Sequence, residues 1–191
     1  MPAAPGIFAE LQKVGDPPVQ AGFFAWRATL SQPLELKPGQ WLASPDAEIG
    51  WLGQTNESHM LLVGPEDLPE RILLTKHGEA LAAPDQAIVV GVGLPGLGGV
   101  LKTAQEWKGS AQLIALLQLD ALPFQAAPSR IWLPGMPSAT IATLPLLEDW
   151  KIPCRLAADA PGCFEGDVHA LLQAWRASGQ MPDWPIYAFG A

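Results

Sequence analysis

The stretch Ile88-Val89-Val90-Gly91-Val92-Gly93-Leu94-Pro95-Gly96-Leu97-Gly98-Gly99-Val100-Leu101 opens as an apolar run, breaks into glycines and resumes with a different period. Val89 and Val90 suit a strand covered on both faces. Leu97, Val100, Leu101, Ala104 and Trp107 instead fall at i, i+3, i+4, i+7 and i+10, one face of a helix. The join is therefore a buried strand, a glycine turn and a helix N-terminus, whose unpaired N–H groups can approach a phosphate. Gly91, Gly93 and Gly96 have the G-x-G-x-x-G spacing used for that purpose, although tight strand-to-helix packing calls for glycine in the same places.

Working outward, the texture differs on the two sides of Ala82-Ala83-Pro84-Asp85. Before it come short β-like runs, Phe23–Leu30, Gly39–Ala43, Ile49–Leu52, His59–Val63 and Arg71–Leu74, with turn signals at Pro38-Gly39 and Gly64-Pro65. They predict a small antiparallel sheet or partial barrel. Residues 1–20 are rich in Pro and Gly, and Ile7, Phe8 and Leu11 suggest only a short amphipathic turn, packed loosely or reserved for a partner. After Asp85, strand-like and helix-like segments alternate. Ile88–Val92 leads to a helix over Gly96–Trp107, followed by strands at Leu113–Leu119 and Arg130–Leu133. Ser138–Trp150 follows as a helical run in which Pro145 either makes a kink or opens a second short helix. Cys154–Ala157 is the next strand. A helix then places Phe164, Val168, Leu171, Leu172 and Trp175 on one face, with Glu165 and Asp167 in its first turn and Gly179 at its end. Ile186–Phe189 is the last strand. Such alternation predicts a parallel sheet covered by helices, with Ile88–Val92 among its central strands.

Composition narrows the function. Hydrophobic residues make up 49% of the 191, enough for a real core, and no run reaches the roughly 18 apolar residues of a membrane span. Met1-Pro2-Ala3-Ala4-Pro5-Gly6 lacks a basic signal-peptide region, so the expected location is cytoplasmic. A net charge of −8 and scattered Lys and Arg residues speak against nucleic acid and anionic membranes as partners. Cys154 and Cys163 are too few for a four-thiolate site, and His59, His77 and His169 stand in unrelated contexts; no metal is expected, and the cysteines read as buried thiols. Eight tryptophans read as core and rim rather than as a cofactor platform. No Ser–His–acid set, carboxylate pair or Walker-type lysine stands out in local spacing, so catalytic residues are unassigned.

Several stretches together resemble the ferredoxin reductase-like flavoprotein family, and within it the electron-transfer subunits of dihydroorotate dehydrogenases. Leu36-Lys37-Pro38-Gly39-Gln40-Trp41-Leu42 is similar to that family's P-G-Q strand, and Ile88–Leu101 to its strand, glycine turn and helix. Arg155-Leu156-Ala157-Ala158-Asp159, with the later Gly166-Asp167-Val168-His169-Ala170-Leu171-Leu172, resembles its strand, acidic turn and G-x-V-x-x-L-L helix; Tyr187-Ala188-Phe189-Gly190 resembles its Y-x-C-G-P end strand. The resemblance implies an α/β fold in which a β-rich N-terminal region precedes a Rossmann-like parallel sheet with flanking helices. Residues 1–83 would be a shortened flavin-binding domain and residues 84–191 a nucleotide-binding-type domain.

It also implies an NAD(P)H-dependent oxidoreductase, an electron-transfer module between a reduced nicotinamide and a flavin or partner protein. Gly91, Gly93 and Gly96 would border the cofactor phosphates, Gly135 and Ser138 the ribose or adenine, and Asp159, Gly162, Tyr187 and Gly190 the same crevice. Helix capping by Ser138 and turn chemistry at Asp159 and Gly162 are the plain alternatives. The departures favour a second reading, a non-catalytic partner or regulatory subunit that keeps the fold and has lost cofactor binding. Glu48-Ile49-Gly50-Trp51-Leu52-Gly53-Gln54-Thr55 lacks the arginine of the family's R-x-[YF]-[ST] strand, which counts against FAD. Pro95 and Gly98 stand where the family's glycine turn has glycine and proline, and Phe189 replaces the cysteine beside the nicotinamide. In either reading a protein partner or a second copy of the chain is expected.

Overall fold

The computed structural model describes residues 6–15 and 22–190. Six strands come first: β1 (Ile7–Lys13), β2 (Phe23–Leu30), β3 (Gln40–Ala43), β4 (Gly50–Asn56), β5 (His59–Pro65) and β6 (Arg71–Gly78). They form a nearly closed antiparallel, barrel-like sheet of order β3-β6-β1-β2-β5-β4. Alternation along each strand fills its interior with Ala9, Ala28, Leu30, Leu42, Met60, Leu62, Ile72 and Leu74, all buried. Residues 7–13 correct the expectation of a loose turn. β1 lies between β6 and β2, with Ile7 opposite Leu74 and Ala9 opposite Leu30. The parts of that expectation falling on residues 1–5 and 16–20 lie outside the described residues.

The remaining chain gives β7 (Gln86–Val92), α1 (Gly93–Trp107), β8 (Gln112–Gln118), β9 (Ala127–Pro128), β10 (Ala142–Thr143), α2 (Pro145–Asp149), β11 (Cys154–Ala157), α3 (Val168–Ala177) and β12 (Ile186–Phe189). β11, β8, β7 and β12 form a parallel sheet in that order, and β7 is central, as its unbroken apolar run predicts. Its side chains divide by parity. Ala87 and Val89 join one continuous core with α1 and the barrel, whereas Ile88 and Val90 face a second cluster with Ile114, Leu116, Val168, Leu171 and Trp175. The apolar face predicted for α3 is thus core.

Four local expectations are corrected. Arg130–Leu133 is not a strand: prolines 128 and 134 bracket it, and the side chain of Arg155 engages it instead of a neighbouring strand. Arg155, 5% exposed, donates from Nε to the Thr140 carbonyl (3.1 Å), from Nη1 to Ser129 Oγ (2.9 Å) and the Cys154 carbonyl (2.8 Å), and from Nη2 to the Ile131 carbonyl (2.8 Å). Ser129 in turn donates to Glu148. Ser138–Trp150 is helical only from Pro145, which serves as the first helical residue, its missing N–H being one that the helix leaves unpaired anyway. α3 begins at Val168 rather than near Phe164, because Asp167 is its N-cap and Phe164 bridges to Ala157. α1 begins within the glycine turn, at Gly93, rather than at Gly96.

Candidate functional site

In an open parallel sheet, ligands bind beyond the carboxyl ends of the strands, where the strand order reverses. From β7 the chain moves first to β8 and β11 on one side and later to β12 on the other, so the reversal lies between β7 and β12. Gly91, Gly93, Gly96 and Gly190 meet there, as the sequence predicts for one turn and one strand end. Their packing is close. A Cβ at Gly91 would lie 2.6 Å from the Gly96 carbonyl oxygen, and one at Gly96 2.6 Å from that of Phe189. Gly190 (φ +83°) sits so that a side chain would overlap the Gly96 nitrogen and the Val92 carbonyl. The backbone beyond β12 therefore lies against the turn that begins α1.

That N-terminus has few free donors. Among its first residues Pro95 has no N–H, and Leu94 donates its N–H to Glu48 Oε1 at 3.0 Å. Glu48 belongs to the loop between β3 and β4, and the same oxygen lies 2.9 Å from where a Gly93 Cβ would stand. Gly93 (φ +70°) is thus set both by its backbone and by this carboxylate. α1 has no acidic residue in its own first turn, so Glu48 brings the negative charge that complements the helix dipole.

α1 also seals the join to the barrel. A Cβ at Gly98 would lie 2.5 Å from the Trp51 nitrogen, one at Gly50 2.6 Å from the Leu94 carbonyl oxygen, and one at Gly99 3.0 Å from Trp41 Cβ. Helix and strand backbones touch along this seam. Trp51, 2% exposed, fills it, and its Nε1–H has no acceptor among the described residues. Trp41 extends the aromatic packing, edge-on to Phe189 at 6.0 Å and stacked on His77 at 5.9 Å.

A cleft of about 480 Å³ opens over the carboxyl ends of β8 and β11. Asp159 lines it, with Asp120, Glu165 and Asp167 and none of the glycines of the α1 turn, so its charged residues are all acidic. The α3 N-terminus beside it is also occupied: Val168 N–H donates to Gln118 Oε1 (2.9 Å) and Ala170 N–H to Asp167 Oδ1 (2.7 Å). Among the described residues no group of three or more His, Cys, Asp or Glu side chains could hold a metal ion.

The other predicted site residues go elsewhere. The Tyr187 ring packs edge-on against Trp107, 5.7 Å away, at the C-terminal end of α1. Gly135 (φ +84°) lies against Ser178 just past the C-terminus of α3, about 15 Å along the helix from its Asp167 cap. Ser138 is exposed in a turn closed by Thr140 N–H to the Pro137 carbonyl and caps no helix. Gly162 (φ +76°) accepts at its carbonyl from the N–H groups of Ile141 and Ala142. Glu48 and Gln118 escaped the sequence reading, since each caps a helix 46 or 50 residues away and no local pattern marks such a pair.

No family model matches the sequence, and no curated protein does. Among solved structures the chain is similar to the ferredoxin reductase in carbazole 1,9a-dioxygenase (TM-score 0.53, 11% identity, 100% of this chain and 70% of that one). It is also similar to the flavohem-like FAD/NAD binding domain of nitric oxide dioxygenase from Vibrio cholerae O1 biovar El Tor (0.53, 10%, 98% and 100%). A third is the siderophore interacting protein from Acinetobacter baumannii (0.52, 9%, 96% and 77%). The fold is ferredoxin reductase-like.

Proposed function

We propose that this chain is a non-catalytic partner subunit that keeps a ferredoxin reductase-like fold and works through protein contacts rather than through a bound dinucleotide. The observation that carries the reading is the hydrogen bond from Leu94 N–H to Glu48 Oε1, which sets a carboxylate of the chain itself on the N-terminus of α1. The dinucleotides of such folds do not fit the residues present. A pyrophosphate needs free N–H groups or cations. Pro95, Glu48 and the backbone at Gly190 leave the α1 turn with little to offer, and the acidic cleft beside α3 repels a second phosphate position. A flavin ring needs an open slot beside the barrel, where Trp51 and the backbone contact of Gly98 already fill the space. A partner would also cover Trp132, which stands 82% exposed.

The electron-transfer reading rests on the fold and on the glycines gathered at the strand-order reversal. One pair of measurements separates the two: an absorbance spectrum of the purified protein with mass spectrometry of anything released on unfolding, then calorimetric titration with reduced nicotinamide dinucleotide. The partner reading expects a colourless protein and no measurable heat of binding. One equivalent of flavin per chain, or binding tighter than about 10 μM (near −7 kcal/mol), overturns it.

A further inference from the structure

Resting on that reading, the geometry points to Glu48 as a resident anion: its carboxylate takes the place at the α1 N-terminus that a ligand phosphate takes in dinucleotide-binding turns, and ties the barrel to the parallel-sheet layer. Three independent features converge on this. α1 is 15 residues long, with a helix dipole to match, and its N-cap residue Val92 offers no side-chain acceptor. Pro95 removes one orphan donor of the first turn, which leaves the Leu94 N–H as a principal donor, and Glu48 Oε1 accepts it at 3.0 Å. Gly93 (φ +70°) leaves room for that oxygen, which lies 2.9 Å from where a Cβ would stand. The loop carrying Glu48 continues into Ile49, fully buried, and Gly50, whose Cα abuts the Leu94 carbonyl. Glu48 itself is exposed, and its carboxylate reaches in to α1 from a surface loop that the buried Ile49 anchors.

The contrast with a bound ligand is thermodynamic. A phosphate occupies such a turn only at sufficient concentration, whereas a carboxylate on the same chain is always present at high effective concentration. It also carries negative charge that an incoming pyrophosphate must displace or approach.

The test uses the full ¹⁵N-labelled chain and follows the Leu94 amide by NMR and hydrogen exchange, with the Val168 amide as an internal control that Glu48 does not touch. Glu48→Ala is expected to lower Leu94 protection about tenfold, the scale of a lost charge-assisted hydrogen bond at a partly exposed site, and to leave Val168 unchanged. Glu48→Gln, which keeps an acceptor and loses the charge, is expected to fall between wild type and Glu48→Ala. Inorganic pyrophosphate is expected to leave the wild-type Leu94 amide unmoved. Unchanged Leu94 protection in Glu48→Ala overturns the resident anion, as does a wild-type Leu94 amide that shifts with pyrophosphate. A fall at both Leu94 and Val168 in Glu48→Ala, with Glu48→Gln like wild type, also overturns it, because Glu48 would then serve general folding. A flavin-loaded protein whose Leu94 protection still depends on Glu48 overturns the partner reading alone.

Discussion

Replacing Gly98 by alanine sets two effects of opposite sign against each other. Gly98 lies inside α1, where helix propensity alone favours alanine by about 1 kcal/mol. The added methyl would stand 2.5 Å from the Trp51 nitrogen and 3.0 Å from Trp51 Cβ, well inside the roughly 3.5–4.0 Å at which carbon atoms pack. The nearest atom is backbone, and the indole beyond it is 2% exposed, so neither can turn aside. Either α1 and β4 separate by about 1 Å or β4 bends. Overpacking costs about 1–3 kcal/mol, and a backbone obstacle puts this case at the upper end. The net expectation is a loss of about 1–2 kcal/mol, or a fall in Tm of about 2–8 °C for a chain of this length. Urea and thermal unfolding followed by tryptophan fluorescence measure it. Gly109→Ala, with no atom within 4 Å of the new methyl, is the control and should stay within about 0.5 kcal/mol of wild type. If Gly98→Ala were as stable as wild type or more so, the backbone contact between α1 and β4 would be refuted as a constraint.

Leu171→Ala, at a fully buried position on the inner face of α3, should cost about 2–5 kcal/mol in the same unfolding assay, and a loss below about 0.5 kcal/mol would place that face in solvent. Asp167→Ala removes the α3 N-cap and should cost about 1 kcal/mol, with Asp167→Asn recovering most of it; equal losses in both would mean that charge, not capping, matters there. Burial pushes the Cys154 thiol up to about 11 from its ordinary 9.0, with the nearby backbone, Thr143 and Arg155 opposing. A group whose pKa is raised on folding gives stability that is complete below pH 9 and lost as pH climbs through about 11, so wild type should lose stability across that window more steeply than Cys154→Ala. Parallel pH profiles in denaturant titrations would contradict the buried thiol.

What the sequence revealed follows from how local each cause is. β7, α1 and β12 were legible because an apolar run and a 3.6-residue stripe are properties of contiguous residues, and the glycines between them have spacing as well as identity. β1 was not. Ile7, Ala9 and Leu11 alternate weakly among prolines and glycines, and what makes them a strand is β6, which pairs Ile7 with Leu74. Arg130–Leu133 failed in the opposite direction, having strand-like composition while its Ile131 carbonyl accepts from the Arg155 guanidinium and its Leu133 carbonyl from Met136 N–H. At the candidate site the glycines were readable and their occupant was not. Leu94 and Glu48 are 46 residues apart, and nothing near Glu48 distinguishes it from other surface acids. Tyr187 and Gly135 were assigned by position in a motif, but a motif does not carry the information that Trp107 and α3 stand in between.

The place of β12 beside β7 has a consequence for how the protein is made. On the ribosome, β7 and β8 emerge and can pair early, yet the other edge of β7 finds its partner only when Ile186–Phe189 is synthesised, roughly a hundred residues and several seconds later. Until then Ala87–Val92, one of the most apolar stretches of the chain, presents an unpaired strand edge. A nascent chain stalled before Ile186 would thus expose an aggregation-prone edge, and its fate would depend on chaperone capture during that interval rather than on the stability of the finished fold.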